Sequence, residues 1–325
     1  MVRIAGVLTL VVLLYIGLYF ADPGAFRPSN LIDVTNRQGF YGVITLGVAV
    51  LIVTGAIDLS IGSVVGLSAV TFGLLMGKGV NPVLAAGAVL AGGVVIGLAH
   101  GLLVTRLKLQ SFLVTLCGLF VYRGLARYLV DRPVGLVTIQ RDQPSTVGPI
   151  QFLRSVLIGK DENSVLNYPA QMFVLLALAA VVGVVLHKSV VGRYWYAIGY
   201  NESAARYSGI ATERYRLIGF VLCSFLASLG GILMLLDVGT ADPNTAGETF
   251  ELYAITGAVL GGCSLKGGEG RAIGIVLGAM VLPLLRNLVS FLGIPDPVIP
   301  VVIGVALLLG TIADELVRRT SAVRK

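Results

Sequence analysis

The chain has 325 residues, of which 56% are hydrophobic and only 13% charged, and its mean hydropathy is +0.91. Ordinary soluble domains carry about 25% charged residues. The composition therefore excludes a soluble globular protein and predicts an all-α bundle of transmembrane helices. The formal net charge of +7 is spread over segments between apolar runs. No basic face or reading motif accompanies it, which argues against nucleic-acid binding.

Ten apolar runs approach or reach the about 17–25 residues that a helical membrane span needs. In chain order they are Ile4–Phe20, Gly39–Ile57, Ile61–Gly77, Pro82–Thr105, Gln110–Val130, Pro169–His187, Tyr215–Asp237, Phe250–Leu265, Ala272–Leu292 and Pro297–Asp314. The first run could belong to a signal peptide, but it is longer than the usual ~7–15 apolar residues. We therefore interpret it as an uncleaved anchor.

Ten spans place both termini on the same side of the membrane. If that side is the cytoplasm, the Lys and Arg residues of the short loops fall mostly inside, as the positive-inside rule requires. The long polar segment Asp131–Tyr168 then lies outside the cell, and Lys188–Tyr215 lies inside. We expect a single transmembrane domain over residues 1–325 with an extracytoplasmic loop at 131–168.

Two places in the apolar pattern leave two interpretations open. The runs 39–57 and 61–77 are separated only by residues 58–60, and the run 250–265 passes into a glycine-rich stretch at 264–270. Each place is either a tight hairpin or a helix broken inside the membrane. Broken helices at corresponding points of two halves are typical of transporters, so the two places also resemble an internal repeat.

Asp58 is a carboxylate within a long apolar stretch, where an uncompensated charge costs several kcal/mol. It either caps the helix that begins at Ile61, together with Ser60, or takes part in the path of a solute. Polar side chains that interrupt the spans are the candidates for hydrogen bonds to a polar solute. These candidates are Thr54, Asp58, Ser60, Glu251 and Asn287.

A polar stretch from Gly192 to Arg216 separates two of the spans and predicts a short helix over 202–208. Asn201 is a favourable N-cap. Glu202 suits the positive end of the helix and can pair with Arg206 one turn later. Gly209 is placed to end the helix in a left-handed conformation. So short a helix is marginal alone, so we expect it to dock against a partner through its small side chains Ala204, Ala205 and Ser208.

The pattern G-x-x-x-x-A-I-G-x-N-E-x-A-A-x-x-S-G-I at 192–210 resembles the coupling segment of bacterial ABC-importer permeases. Among these, the chain is most similar to the family that carries ribose, xylose, galactose and related monosaccharides. The stretches at 54–69, 107–126 and 241–274 agree with that family in the same order. The resemblance therefore covers nearly the whole chain.

The resemblance implies a permease subunit in the bacterial cytoplasmic membrane that works by alternating access. Its implied partners are a cytoplasmic ATPase, an extracytoplasmic solute-binding protein and a second permease, identical or related. The coupling residues it implies are Gly192, Gly199, Asn201, Glu202, Ala204, Ala205, Arg206, Ser208 and Gly209. The implied cargo is a monosaccharide, with a branched-chain amino acid or a nucleoside as alternatives. An ion-coupled secondary transporter is a further alternative from a different class.

The sequence itself shows no nucleotide-binding, catalytic or metal motif. Lys266 lies in a glycine-rich stretch, but Gly267 follows it, whereas a phosphate-binding loop needs Ser or Thr there. We therefore expect no enzymatic activity and no cofactor in this chain, with ATP and Mg²⁺ bound by the partner ATPase. The two histidines, His100 and His187, have no ligand-like neighbours in sequence, and we assign them no chemistry at this stage.

Overall fold

The computed structural model describes residues 2–159 and 167–295 and a few single positions beyond them (298, 301, 304, 305 and 308). Within these residues the chain is almost entirely helical, as the composition predicts. The exceptions include two-residue strands, β1 (Val134–Gly135) and β2 (Thr240–Ala241), which pair antiparallel. The tenth expected span, Pro297–Asp314, lies outside the described residues.

The helices are numbered in chain order. They are α1 Val2–Ala21, α2 Pro28–Val53, α3 Ile61–Gly77, α4 Pro82–Thr105, α5 Ser111–Leu129, α6 Leu136–Asp142, α7 Val147–Leu157, α8 Ala170–Lys188, α9 Val190–Tyr200, α10 Glu202–Tyr207, α11 Thr212–Val238, α12 Phe250–Leu260 and α13 Ala272–Phe291. Seven of the described helices (α1, α2, α4, α5, α8, α11 and α13) are long and apolar enough to cross a membrane. The shorter apolar helices are α3 and α12.

Helix α2 occupies the centre of the bundle. It packs against α8, α11, α12 and α13, and α11 in turn packs along α3 and α4. The sequence prediction placed the start of this span at Gly39, but the helix begins at Pro28. Its first turns carry polar residues that obscure the apolar pattern. Asn36 is buried there because its amide donates to the carbonyl of Ile158 (2.9 Å) and accepts from the backbone N–H of Gln171 (3.1 Å).

Two non-helical stretches run through the interior of the bundle. The first, 54–60, joins α2 to α3, and Thr54, Asp58 and Ser60 are all buried in it. The second, 239–249, follows α11 and turns back into the bundle, because Ala246 and Gly247 contact the first half of α3. Helix α12 therefore begins inside the bundle rather than at its end.

The glycine-rich stretch at 264–270 is a turn at the end of the bundle. Gly268 donates its N–H to the carbonyl of Val53, the last residue of α2 (2.9 Å). The span expected to reach Leu265 ends at Leu260, and the chain makes the turn before α13 begins at Ala272. The hairpin interpretation, and not a helix broken inside the membrane, therefore fits residues 264–270. The interior break of the second half of the chain precedes α12 instead of following it.

The segment expected to be a long polar loop, 131–168, is more ordered than its composition suggests. Its described part contains α6 and α7, which contact neighbouring helices. Ile150 and Ile158 are fully buried. The prolines and glycines of this segment suggest turns, so the two short amphipathic helices that cover one end of the bundle were not predicted.

Close packing of α4 on α11 depends on glycine, and it generates a test. A Cβ atom at Gly97 would lie 2.5 Å from the Cα of Val221, whereas one at Gly92 would have nothing within 4 Å. Overpacking costs about 1–3 kcal/mol, so we expect Gly97→Leu to lower the Tm of the purified protein in detergent by about 5 °C. The matched variant Gly92→Leu should leave Tm unchanged, and equal shifts in both would refute the packing argument.

Candidate functional site

The segment between the spans α8 and α11 contains two short helices joined at Asn201. The second, α10, confirms the predicted helix and ends one residue earlier, at Tyr207. The side-chain oxygen of Asn201 accepts from the N–H of Ala204 (3.0 Å), as an N-cap does. The first helix, α9, was not predicted. Its signal is the helical spacing of Trp195 and Ile198, which are both buried.

The end of α10 also has the predicted geometry. Gly209 has a φ of +82°, in the left-handed region. Its N–H donates to the carbonyl of Arg206 (3.0 Å), and the N–H of Ile210 donates to that of Ala205 (3.1 Å). This is the hydrogen-bond pattern of a Schellman cap. A Cβ at Gly209 would meet nothing within 4 Å, so glycine is favoured there by backbone conformation and not by space.

The predicted small-residue face of α10 is wrong in one respect. Ala205 is buried against its own chain, whereas Ala204 and Ser208 are exposed. We define the candidate coupling surface by five exposed side chains around this helix: Tyr200, Ser203, Ala204, Tyr207 and Ser208. The Tyr207 side chain is 93% exposed. Aromatic residues are enriched in surfaces that a partner covers.

Helix α9 fixes this segment to the end of the bundle. Gly192 lies at its start, against the last turn of α8. Gly199 packs on the backbone where Val53 and Gly268 meet. The hydroxyl of Tyr196 donates to the carbonyl of Gly270 (2.6 Å). Burial raises the pKa of Tyr196 to about 12, so this hydroxyl remains a donor at any physiological pH.

Charged side chains join α10 to the interior break. Glu202 accepts from Arg206 (3.3 Å) and, through its other oxygen, from Arg216 at the start of α11 (2.8 Å). Arg216 also donates to the carbonyl of Thr54 (3.4 Å), and its side chain is only 16% exposed. The sequence predicted the pair with Arg206 but missed the one with Arg216. Glu202 is therefore more than a surface charge, because it links α10 to the residue that follows α2.

Asp58 organises the break between α2 and α3. One carboxylate oxygen accepts from both the N–H and the hydroxyl of Ser60 (2.7 and 2.6 Å). The expectation that Asp58 and Ser60 cap α3 directly is wrong in detail. Asp58 bonds to the residue before the helix, and the side chain of Ser60 makes no capping bond. The Thr54 hydroxyl donates to the carbonyl of Leu51 (2.7 Å).

The candidate solute-path residues do not form one cluster. Thr54, Asp58 and Ser60 share the first break. Glu251 is buried in the first turn of α12, where its carboxylate packs against Gly62 of α3. Asn287 lies elsewhere, exchanging hydrogen bonds with Asn30 of α2 (3.0 and 3.3 Å). A role for any of these residues in solute binding stays a prediction.

The apolar spans, the interior breaks and the exposed short helix between two spans define a multi-pass membrane permease. The family described as branched-chain amino acid transport system / permease component matches residues 30–311. The chain belongs to this family.

Several named relatives agree with this assignment. The ribose import permease protein RbsC of Escherichia coli (strain K12) is 33% identical over 295 residues, covering 90% of this chain and 88% of the relative. RbsC of Bacillus subtilis (strain 168) is 33% identical over 303 residues, covering 90% and 87%. The autoinducer 2 import system permease protein LsrC of Salmonella typhi is 31% identical over 299 residues, covering 90% and 80%. No solved structure gives a significant match.

The Glu202–Arg216 link predicts unequal effects of two arginine substitutions. A hydrogen bond between charged groups contributes about 1.5–3 kcal/mol when partly buried, whereas an exposed i,i+4 pair contributes about 0.3–0.5 kcal/mol. We expect Arg216→Ala to speed amide hydrogen exchange in residues 202–209 by about tenfold or more. Arg206→Ala should change it by less than about threefold. Similar exchange in both variants would show that the inner pair does not hold α10.

Proposed function

We propose that the chain is the transmembrane subunit of an ATP-driven importer that moves a monosaccharide into the cell by alternating access. The observation that carries this proposal is the connection of an exposed coupling surface to a buried helix break through Glu202, Arg216 and the Thr54 carbonyl. An ATPase that binds this surface can move the membrane spans only if the surface is connected to them.

The proposed partners follow from this arrangement and from the family. A cytoplasmic ATPase binds the coupling surface and supplies ATP hydrolysis with its own Mg²⁺ site. A soluble binding protein delivers the solute to the opposite face, where α6 and α7 lie. A second permease, identical or related, completes the path. This chain contributes the path of the solute and the segment that transmits movement from the ATPase. It carries no ATPase site of its own.

The mechanism that we propose is mechanical. Closure of the ATPase dimer displaces α10, and the capped ends of this short helix let it move as one body. The pairing of Glu202 with Arg216 transfers the displacement to the start of α11 and to the Thr54 carbonyl. The break at 54–60 then repositions α3 against its neighbours. Because interior packing is close, such a bundle switches between discrete arrangements rather than deforming continuously.

The proposed orientation places both termini and the coupling surface in the cytoplasm. We expect a cysteine at Ser203 to be labelled by an impermeant thiol reagent only after the membrane is opened, and a cysteine at Ser145 to be labelled in intact cells. Both positions are exposed. The host variant lacks Cys117, Cys223 and Cys263. Labelling of Ser203→Cys from outside would reverse the orientation.

The sequence resemblance and the relatives named for ribose import support a monosaccharide as the cargo. The family description, which names branched-chain amino acids, favours the alternative cargo. Titrating the purified cognate binding protein with ribose, xylose, galactose, leucine and a nucleoside decides between them. Binding of leucine or the nucleoside alone would reject the sugar proposal. Uptake that continues without the ATPase would favour an ion-coupled secondary transporter instead.

Coupling itself is tested at Gly209. Valine is costly in the left-handed region, whereas asparagine tolerates it. We expect Gly209→Val to abolish co-purification of the ATPase and binding-protein-stimulated ATP hydrolysis in liposomes, while Gly209→Asn retains both. Ala204→Glu adds bulk and charge to the exposed coupling surface and should have the same effect as Gly209→Val. We choose Ala204 because Ala205 is buried within its own chain.

Membrane insertion and expression serve as the control for all three variants. If Gly209→Val and Ala204→Glu both keep full ATPase association and stimulated hydrolysis, the segment 192–216 is not the coupling element. The proposal would then lose its main physical support.

A further inference from the structure

His100 is a buried histidine that the sequence analysis left without a role. It lies on α4 with only 2% of its surface exposed. Its Nε2 atom is 2.9 Å from the hydroxyl of Tyr122 on α5. Its Nδ1 atom faces the second carboxylate oxygen of Asp58 at 3.6 Å. The imidazole therefore lies between the interior break and α5.

The contact between His100 and Asp58 is close but not yet a hydrogen bond. Within the described part of the chain, neither His100 Nδ1 nor Asp58 Oδ2 has a hydrogen-bond partner, and both atoms are fully buried. Unpaired buried polar atoms are unfavourable. A displacement of less than an ångström would convert the two atoms into a bonded pair. A small movement of the break would therefore be enough to close this contact.

Further bonds tie the same break to α5. The N–H of Leu59 donates to the Thr115 hydroxyl (3.1 Å), and the N–H of Ile57 donates to the Ser111 hydroxyl (3.4 Å). Tyr122 lies further along the same helix. The break thus has two attachments to α5: a direct one through two hydroxyls, and an indirect one through Asp58, His100 and Tyr122. The indirect attachment depends on the contact between His100 and Asp58, which is longer than a hydrogen bond.

Helices on both sides enclose His100. Tyr122 of α5 contacts the ring at Nε2, and Phe220 of α11 makes an aromatic contact with it. His100 is the basic side chain that lies within 4.0 Å of Asp58 among the described ion pairs. The imidazole is thus placed to supply the buried carboxylate with a partner.

We propose that His100 is a positioning residue for transport: it holds Asp58, and thereby the break at 54–60, against α4 and α5. Closing the gap between the two side chains gives the buried carboxylate oxygen of Asp58 a hydrogen-bond donor, which it otherwise lacks among the described residues. The Tyr122 hydroxyl fixes the other side of the imidazole ring and so orients it toward Asp58. The importance for transport rests on the proposed function, but the hold itself does not.

The hold is measured by thiol labelling at Ala56. This residue is 2% exposed and lines a cleft of about 570 Å³ beside α10, so that a reagent reaches it when the break loosens. Ala56→Cys is introduced into a variant in which the native cysteines are replaced, and the protein is placed in lipid nanodiscs so that both faces are accessible. The rate of maleimide labelling is compared among the variants at a single pH.

His100→Asn is the matched variant, because asparagine keeps a hydrogen-bond donor toward Asp58. If the imidazole acts by donating to Asp58, this conservative variant retains the hold that a variant without a donor loses.

Removing the side chain tests the hold. We expect His100→Ala to raise the labelling rate by about tenfold, with His100→Asn close to the parent. Tyr122→Phe, which keeps the imidazole but removes the hydroxyl that orients it, should raise the rate less. A slow, parent-like rate in both His100→Ala and Tyr122→Phe would overturn the positioning role. None of these measurements uses the ATPase or a solute, so their failure is distinct from failure of the proposed function.

Discussion

A backbone inside a membrane must satisfy its own hydrogen bonds, because no water is available to do so. Helices meet this requirement automatically, and an interruption meets it only where other protein groups supply the partners. The stretch 54–60 is such an interruption. Its groups bond to the Thr115 hydroxyl and to Arg216, and the carbonyl of Val53 just before it accepts from Gly268. These partners come from three different parts of the chain. The need to satisfy one short stretch thus holds together α2, α5, α11 and the turn before α13.

The same requirement explains why the coupling segment adjoins the break. A helix as short as α10 is not stable alone, and it gains its stability from α9 and from the charged pair with Arg216. The guanidinium that fixes α10 is also the donor to the Thr54 carbonyl. The stability of α10 and the satisfaction of the broken backbone therefore depend on one side chain.

Local chemistry made part of this structure predictable. The N-cap at Asn201, the left-handed Gly209 and most span positions follow from signals within a few residues. The start of α2 was missed because Asn36 looks polar in sequence, while its partners lie on segments far along the chain. The burial of Ala205, the second partner of Glu202 and the neighbours of His100 were missed for the same reason. Each depends on which distant helix lies opposite, and periodicity carries no such information.

The separation of roles within the coupling segment has a consequence for engineering. The side chains that anchor it, Trp195, Tyr196 and Ala205, point into the chain, whereas Tyr200, Ser203 and Tyr207 project from it. A few outward residues can then be exchanged for those of another permease without altering the anchoring contacts. Under the proposed coupling role, such an exchange would let two importers in one cell each use a separate ATPase.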